Sequence, residues 1–363
     1  MSNNTKVLYI VSKKASTSVP LEISKYISDF VLLSVACFYR ENASDSTNED
    51  FCKDVFSLEA NGFFSVRAVI RMFRLMISFK PDVVHVHHGL SAIIASLFGK
   101  LLGVKVLKTE HGAHKYNSFS LRLLSYAQFI LSDLVVCNSN STYDSFTALA
   151  KKLLRGKCEV VYNGVDVSRV DAASENRLSL SPEPSPFVIV CVARLIPIKN
   201  IESIIEAIYL YKSDKVILKV IGGGPELQSL KELVKERQIN SSVEFMGMVG
   251  RDDVYRILSE SDIMIMPSLS EGFCNAVVEA MVAGLPIVCS DIPTLKEVVG
   301  ENGYFFDPLS PSSIVEKLDV ALEDKGSSQV GELLRQRALE NFSMDVAVQK
   351  YISLYERLRT DEH

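Results

Sequence analysis

No apolar run in this 363-residue chain approaches the roughly 18 residues that a membrane-crossing helix needs, which excludes a helical membrane span. The stretch Met1 to Thr5 is polar and does not suit the apolar core of a signal peptide, so a cytoplasmic protein is expected. Cys-x-x-Cys is absent. The seven cysteines, at 37, 52, 137, 158, 191, 274 and 289, are odd in number and sit mostly inside apolar runs, as reduced core thiols do, which argues against a disulfide framework. The glycine run Ile221 to Pro225 lacks the third glycine of G-x-G-x-x-G, whose place is taken by Leu227, and this speaks against a dinucleotide-dependent oxidoreductase. Neither His-Glu-x-x-His nor His-x3-His occurs, and short internal repeats are missing.

What remains is a globular composition with 47% hydrophobic residues, long enough for two domains with separate cores. The net charge of −5 is unevenly placed. Residues 1–175 carry 20 Lys and Arg against 16 Asp and Glu, and the rest carries 19 against 28, so the halves stand at +4 and −9. Such asymmetry can mark a surface that meets anionic lipid. The basic residues are not interleaved with any nucleic-acid-binding module, and no nucleic-acid partner is expected.

Short apolar runs alternate with helical patterns along the whole chain, which predicts parallel sheets covered on both faces. In the first half the strands are Lys6 to Ser12, Phe30 to Phe38, Asp82 to His87, Val104 to Thr109, Leu134 to Cys137 and Glu159 to Tyr162. A segment rich in Ser, Glu and Pro, 171–186, reads as a linker. Alternation then resumes with Phe187 to Val192, Val216 to Ile221, Val243 to Met246, Ile263 to Met266 and Ile287 to Ser290. The expected division is a first domain over 1–170, the linker, a second domain over 187–342, and a last helix within 343–363. Both domains are read as Rossmann-like and doubly wound, with ligands beyond the carboxyl ends of the strands.

The chemistry concentrates in the second half. Glu271 lies in the loop after the run Ile263 to Met266, and Glu279 lies about two turns into the helix that follows. The helix N-terminus between them, with amide groups around Asn275 to Val277 and the positive end of the dipole, makes an anion site flanked by two hydroxyl-binding acids. A diphosphate with a sugar at each end has this polarity. Two solvated acids beside an ordinary amphipathic helix are the alternative. Arg194 and Lys199 follow a buried strand directly, and two cations there can bracket a diphosphate, Arg binding two oxygens and Lys acting as a point charge.

These residues, in the order ARLxxxK, GGGP, SEGF and a second Glu, with VHVHH, TEHG and YNGVD ahead of them, resemble the retaining glycosyltransferases of family 4, whose fold is called GT-B. The resemblance spans about residues 6 to 359 and is more specific in the second half. It implies transfer of a sugar from a nucleoside diphosphate sugar to an acceptor hydroxyl, with no cofactor and no divalent ion. It gives Arg194 and Lys199 the departing diphosphate, and Glu271 with the Gly272, Phe273, Cys274 and Asn275 backbone the donor sugar. Ala276 and Val277 join the phosphate-facing helix start, and Glu279 takes the ribose hydroxyls. Gly223 and Val249 would line the nucleotide, and His111, in TEHG, would touch the donor sugar near the reacting carbon. The acceptor would bind the first domain, and the last helix would cross back to it. A lipid-linked glycan in surface-polysaccharide assembly (O-antigen, capsule or exopolysaccharide) is the acceptor suggested by the family's habits. A sugar-nucleotide epimerase on the same fold, or a non-catalytic nucleotide-sugar-binding subunit, are the rival classes.

Three features stand apart. The loop Lys13 to Pro20 has no glycine where the family usually has a pair, leaving Ser16, Thr17 and Ser18 as hydroxyl donors. His85, His87, His88, His111 and His114 raise a zinc reading, but His85 and His87 share one strand face while His88 points to the other. His85 is expected to be a buried, hydrogen-bonded histidine. Finally, Val66 to Phe79 combines Arg67, Arg71 and Arg74 with much apolar surface, which suits either docking on an anionic membrane, peripheral to its inner face, or an ordinary sheet-covering helix.

Overall fold

Runs such as Val7 to Val11 and Ile263 to Met266 are buried along their whole length, the pattern of strands covered on both faces. In the computed structural model, which describes residues 5–13, 18–40, 54–62, 65–87, 89–112, 114, 118–174, 186–213, 215–324 and 329–360, these runs build two parallel sheets. The readings placed on Ser16, Thr17, His88 and linker residues 175–185 fall outside the described residues. The chain divides into one unit of Met1–Gly164 with Met344–His363, and a second of Val165–Ser343.

The first unit runs β1 (Lys6–Val11), α1 (Val19–Ile27), β2 (Leu32–Tyr39), β3 (Val55–Ala60), α2 (Val66–Phe79), β4 (Val83–Val86), α3 (Gly89–Leu102), β5 (Lys105–Glu110), α4 (Phe119–Leu131), β6 (Leu134–Cys137), α5 (Asn140–Asp144), α6 (Ala148–Leu153) and β7 (Cys158–Val160). The second runs α7 (Val167–Ser174), β8 (Phe187–Val192), α8 (Ile201–Tyr211), β9 (Val216–Ile221), α9 (Leu227–Glu236), β10 (Val243–Gly247), α10 (Arg251–Ser259), β11 (Ile263–Met266), α11 (Asn275–Val282), β12 (Ile287–Ser290), α12 (Pro293–Val299), β13 (Tyr304–Phe306), α13 (Pro311–Asp324) and α14 (Gln329–Phe342). Helix α15 (Met344–Thr360) returns to the first unit.

The sheet orders are β3-β2-β1-β4-β5-β6-β7 and β10-β9-β8-β11-β12-β13, every pair parallel. Each sheet therefore reverses its winding at one place, between β1 and β4 and between β8 and β11, and crevices open beyond the strand ends there. In the first unit α2 and α3 cover one face over Leu8, Val84 and Val106, and α4 continues that face over Val135. Helices α1 and α15 cover the other, over Val7, Tyr9 and Leu107.

Two differences from the sequence reading concern edges and boundaries. Edge strand β3, which the reading passes over, buries only Leu58 and Ala60, too sparse a pattern to stand out. Residues 165–174, read as domain end and linker, belong to the second unit. Helix α7 is tied there by Arg335 to Asp171 at 2.8 Å and Arg169 to Asp252 at 2.6 Å, and the unit's entry and exit pair side by side at Val165 and Ser343. None of the described helices is long and apolar enough to cross a membrane.

Candidate active site

In the second unit the site is built from the loops after β8 and β11, on either side of the switch point. After β8 the chain makes a 3₁₀ turn over Pro197–Lys199 and ends it at Asn200, whose φ of 54° is left-handed. Asn200 then works as a staple: its side-chain amide donates to Pro267 O at 3.2 Å and Pro308 O at 2.8 Å, while Leu269 N donates to Ile198 O at 2.9 Å. The two loops are thereby fixed against each other, and Lys199 is delivered onto the Glu271 carboxylate, with which it forms an ion pair. Ser268 Oγ donates to the same carboxylate oxygen at 2.6 Å, and Thr294 Oγ1 donates to Glu271 O at 3.0 Å. Burial works against the Lys199 charge, but the Glu271 carboxylate more than offsets it and the lysine pKa is raised. Lys199 and Glu271, given separate duties by the sequence reading, are thus one unit. Arg194 is different: it is exposed and has no ion-pair partner among the described residues.

Beyond Glu271 the chain turns into α11 through Cys274, a non-glycine residue at φ 77°. Residues held there store roughly 1–3 kcal/mol of strain and cluster at ligand clamps. Burial, with the Glu271 charge nearby, pushes the Cys274 thiol pKa well above its ordinary value. The amide of Val277, counted in the sequence reading among the free donors, is not free: it donates to Cys274 O at 3.1 Å in a tight first turn, and the Val277 side chain is fully buried. The helix start thus offers an anion fewer donors than expected. Phe273 packs edge-on against Phe342 with ring centres 5.4 Å apart, anchoring the Gly272–Cys274 turn. Glu279 is largely buried, 8% exposed, and accepts from Tyr255 Oη at 3.4 Å.

The glycine turn after β9 has a more local cause than nucleotide approach. A Cβ on Gly222, at φ +136°, would stand 1.9 Å from Ala193 O, and one on Gly224 would stand 2.2 Å from Leu195 O. Leu195 N also donates to Gly223 O at 2.9 Å, so the turn is pressed against the loop that carries Arg194. At Gly223 itself a Cβ would meet only the movable, exposed Met248 side chain, at 3.0 Å, beside half-buried Val249.

In the first unit, His85 is a structural residue. Its ring bonds Tyr355 Oη at 2.8 Å and Thr109 Oγ1 at 2.7 Å, and the chain continues to Tyr9 at 2.6 Å and Tyr351 at 3.1 Å, pinning α15 to the sheet. Burial, with Lys108 adding to it, pushes the His85 pKa well below the ordinary imidazole value, so the ring is neutral. His111 is half-buried; its Nε2 lies 3.1 Å from His87 Nδ1, and Asn138 donates to its carbonyl at 3.2 Å. It lines a pocket of about 330 Å³ with Lys108, Glu110, Leu121, Leu124 and Gln128. Lys108 is buried, donating to His87 O at 2.6 Å and lying 3.5 Å from Glu110. Gln128 Nε2 is buried with no hydrogen-bond partner among the described residues. Sequence reading missed Lys108 and Gln128; a lysine inside the expected strand Val104 to Thr109 was the available signal. Among the described residues no group of three His, Cys, Asp or Glu side chains is placed to hold a metal ion.

Comparison with known proteins bears on the family and the fold. Residues 174–338 match the family model described as glycosyl transferases group 1, and residues 34–169 match glycosyltransferase family 4. The chain is 25% identical over 295 residues to N-acetyl-alpha-D-glucosaminyl L-malate synthase of Bacillus anthracis, covering 78% of this chain and 76% of that one. It is 24% identical over 370 residues to the O-antigen biosynthesis glycosyltransferase WclY of Escherichia coli, covering 97% and 98%. Anabaena Alr3699/HepE, solved with UDP and glucose, superposes with a TM-score of 0.82 at 18% identity, covering 98% of this chain and all of that one. With one family model spanning β2 to β7 and the other β8 to β13, the chain belongs to family 4 of the glycosyltransferases and has the GT-B fold.

Proposed function

We propose that the chain is a retaining, metal-independent glycosyltransferase that moves a sugar from a nucleoside diphosphate sugar to a hydroxyl of a lipid-linked glycan, in surface-polysaccharide assembly. The observation that carries this is the Lys199–Glu271 pair at the β8/β11 switch point, with exposed Arg194 in the same loop as Lys199 and the start of α11 directly after the Glu271 loop. Arg194 and the helix start take the charge that develops on the departing diphosphate, each such donor being worth about 3 kcal/mol in the transition state. Lys199, its charge balanced by Glu271, offers N–H donors from a fixed position. The bond from the anomeric carbon to the diphosphate oxygen breaks, the acceptor oxygen bonds to that carbon on the same face, and the acceptor proton passes to the leaving phosphate. Glu279 receives the ribose hydroxyls, and His111 keeps the role that the family resemblance gives it, a contact to the donor sugar.

The nucleotide in the Anabaena structure favours UDP, and the Escherichia coli relative favours an O-antigen type of product. The test is a screen of the purified chain with UDP-, GDP- and ADP-sugars, reading released nucleoside diphosphate and the anomeric configuration of the product by NMR. Release from one donor class with retained configuration is expected; an inverted product overturns the retaining assignment, and epimerisation without an acceptor overturns transfer itself.

A further inference from the structure

Helices α2, α3 and α4 lie on one face of the first sheet, and α3 packs on both of its neighbours, with the Phe73 and Phe98 ring centres 4.8 Å apart at a tilt of 54°. Across their 14, 14 and 13 residues there is no Asp or Glu, while Arg67, Arg71, Arg74, Lys100 and Arg122 supply charge of one sign. Arg71 pairs with Glu59, and Lys100 with Asp133. Helix α2 also commits Ala68, Met72 and Met76 to the sheet, so it is a sheet-covering helix first. The bare apolar surface lies next to it. Leu97 and Leu101 on α3, and Phe119, Leu121, Leu123 and Ile130 on α4, are all exposed, Phe119 at 80% and Leu101 at 73%. The other exposed large apolar residues include scattered ones such as Met248 and Leu309, which a soluble surface tolerates.

We propose that this three-helix face docks on an anionic lipid bilayer, with α4 and α3 as the apolar anchor and the α2 arginines as the electrostatic component. A second copy of the chain fits poorly, because a two-fold contact would set helices that carry cations and no acids of their own against themselves. A bilayer with anionic headgroups over an acyl interior complements both the charge and the apolar residues. The surface also leads to chemistry: Leu121 and Leu124 belong to it and at the same time wall the pocket that holds His111. A lipid-borne acceptor would thus reach that pocket along α4 without leaving the membrane surface. The docking itself is independent of the donor site.

The test is co-sedimentation of the full chain with vesicles of phosphatidylcholine alone and with about one-third phosphatidylglycerol added, at low and high salt. Phe119→Ser/Leu123→Ser removes exposed apolar groups outside the pocket, and partitioning is expected to fall about a hundredfold. Arg67→Gln/Arg74→Gln is expected to cost about 20- to 30-fold on anionic vesicles and nothing on neutral ones. UDP binding by calorimetry is measured on the same three proteins. Intact UDP binding with no vesicle binding by the unaltered chain overturns docking and leaves the donor reading standing. An α4 variant that partitions like the unaltered chain also overturns it, as does a concentration-dependent dimer that the α4 variant abolishes while neither protein binds vesicles. Vesicle binding without UDP binding supports docking and counts only against UDP as the donor's nucleotide.

Discussion

Replacing Glu271 by Gln probes the link on which the donor-site argument rests. The substitution keeps shape and an oxygen for the Ser268 hydroxyl, but removes the anion facing Lys199. An exposed ion pair is worth about 0–1 kcal/mol, and breaking a fully buried one costs about 3–5 kcal/mol. Here the two side chains are 16% and 9% exposed, nearer the buried limit but wetted, so a loss of about 2–3 kcal/mol is expected. For a unit the size of Val165–Ser343 this corresponds to a fall in Tm of about 5–10 °C. Lys199→Met alone leaves the carboxylate buried and should cost a comparable amount. The double substitution leaves no uncompensated charge, and its cost should be well below the sum of the singles. The sign with pH follows from the raised lysine pKa: the contribution is complete below about 10.5, the unfolded value, and is lost as pH climbs through the higher folded value. Thermal and urea unfolding of the four proteins at neutral pH, with a further series above pH 10, measure this directly. Additive single effects, or singles with an unchanged Tm, would refute the pairing.

Glu279→Ala should raise the donor KM and leave kcat nearly intact, because ribose contacts persist from ground state to transition state; steady-state kinetics with KM unchanged and kcat lost would remove the ribose role. Turnover should survive EDTA, since exposed Arg194 and the start of α11 are there to meet the diphosphate charge, and loss of activity restored by Mn²⁺ or Zn²⁺ would contradict that. His85 is neutral in the folded chain, so its contribution is full above the unfolded value of about 6.5 and falls with acid by about 1.4 kcal/mol per pH unit. His85→Gln should flatten that acid-side fall, read by urea unfolding at pH 7 and at mildly acidic pH, and an unchanged pH dependence would contradict a neutral His85.

Periodicity alone was enough for the two-domain parallel architecture, because strands such as Ile263–Met266 are buried on both faces and read as unbroken apolar runs wherever they lie. Local chain chemistry was likewise sufficient to set Arg194, Lys199 and Glu271 at strand ends, since loops follow strands in sequence as well as in space. The misses share a cause. Edge strand β3 is half solvent-facing and β13 is only three residues long, so neither leaves a strong pattern. Helix α7 sits in a polar stretch whose hold on the second unit comes from Arg335 and Asp252, far along the chain. Lys199 and Glu271 are 72 residues apart, and whether they stand apart or pair depends on how Asn200 clasps Pro267 and Pro308. The engagement of Val277 N–H depends on the left-handed turn at Cys274, which residue identity does not announce. His85 finds Tyr355 across 270 residues, and the bare surface on α3 and α4 emerges only when the sheet has chosen which side of each helix to bury. Sequence thus determined what is written within one element and its flanking loop, and only the tertiary structure decided which charges meet, which amides remain for a ligand, and which apolar faces stay open, because those outcomes depend on neighbours that the linear order keeps far apart.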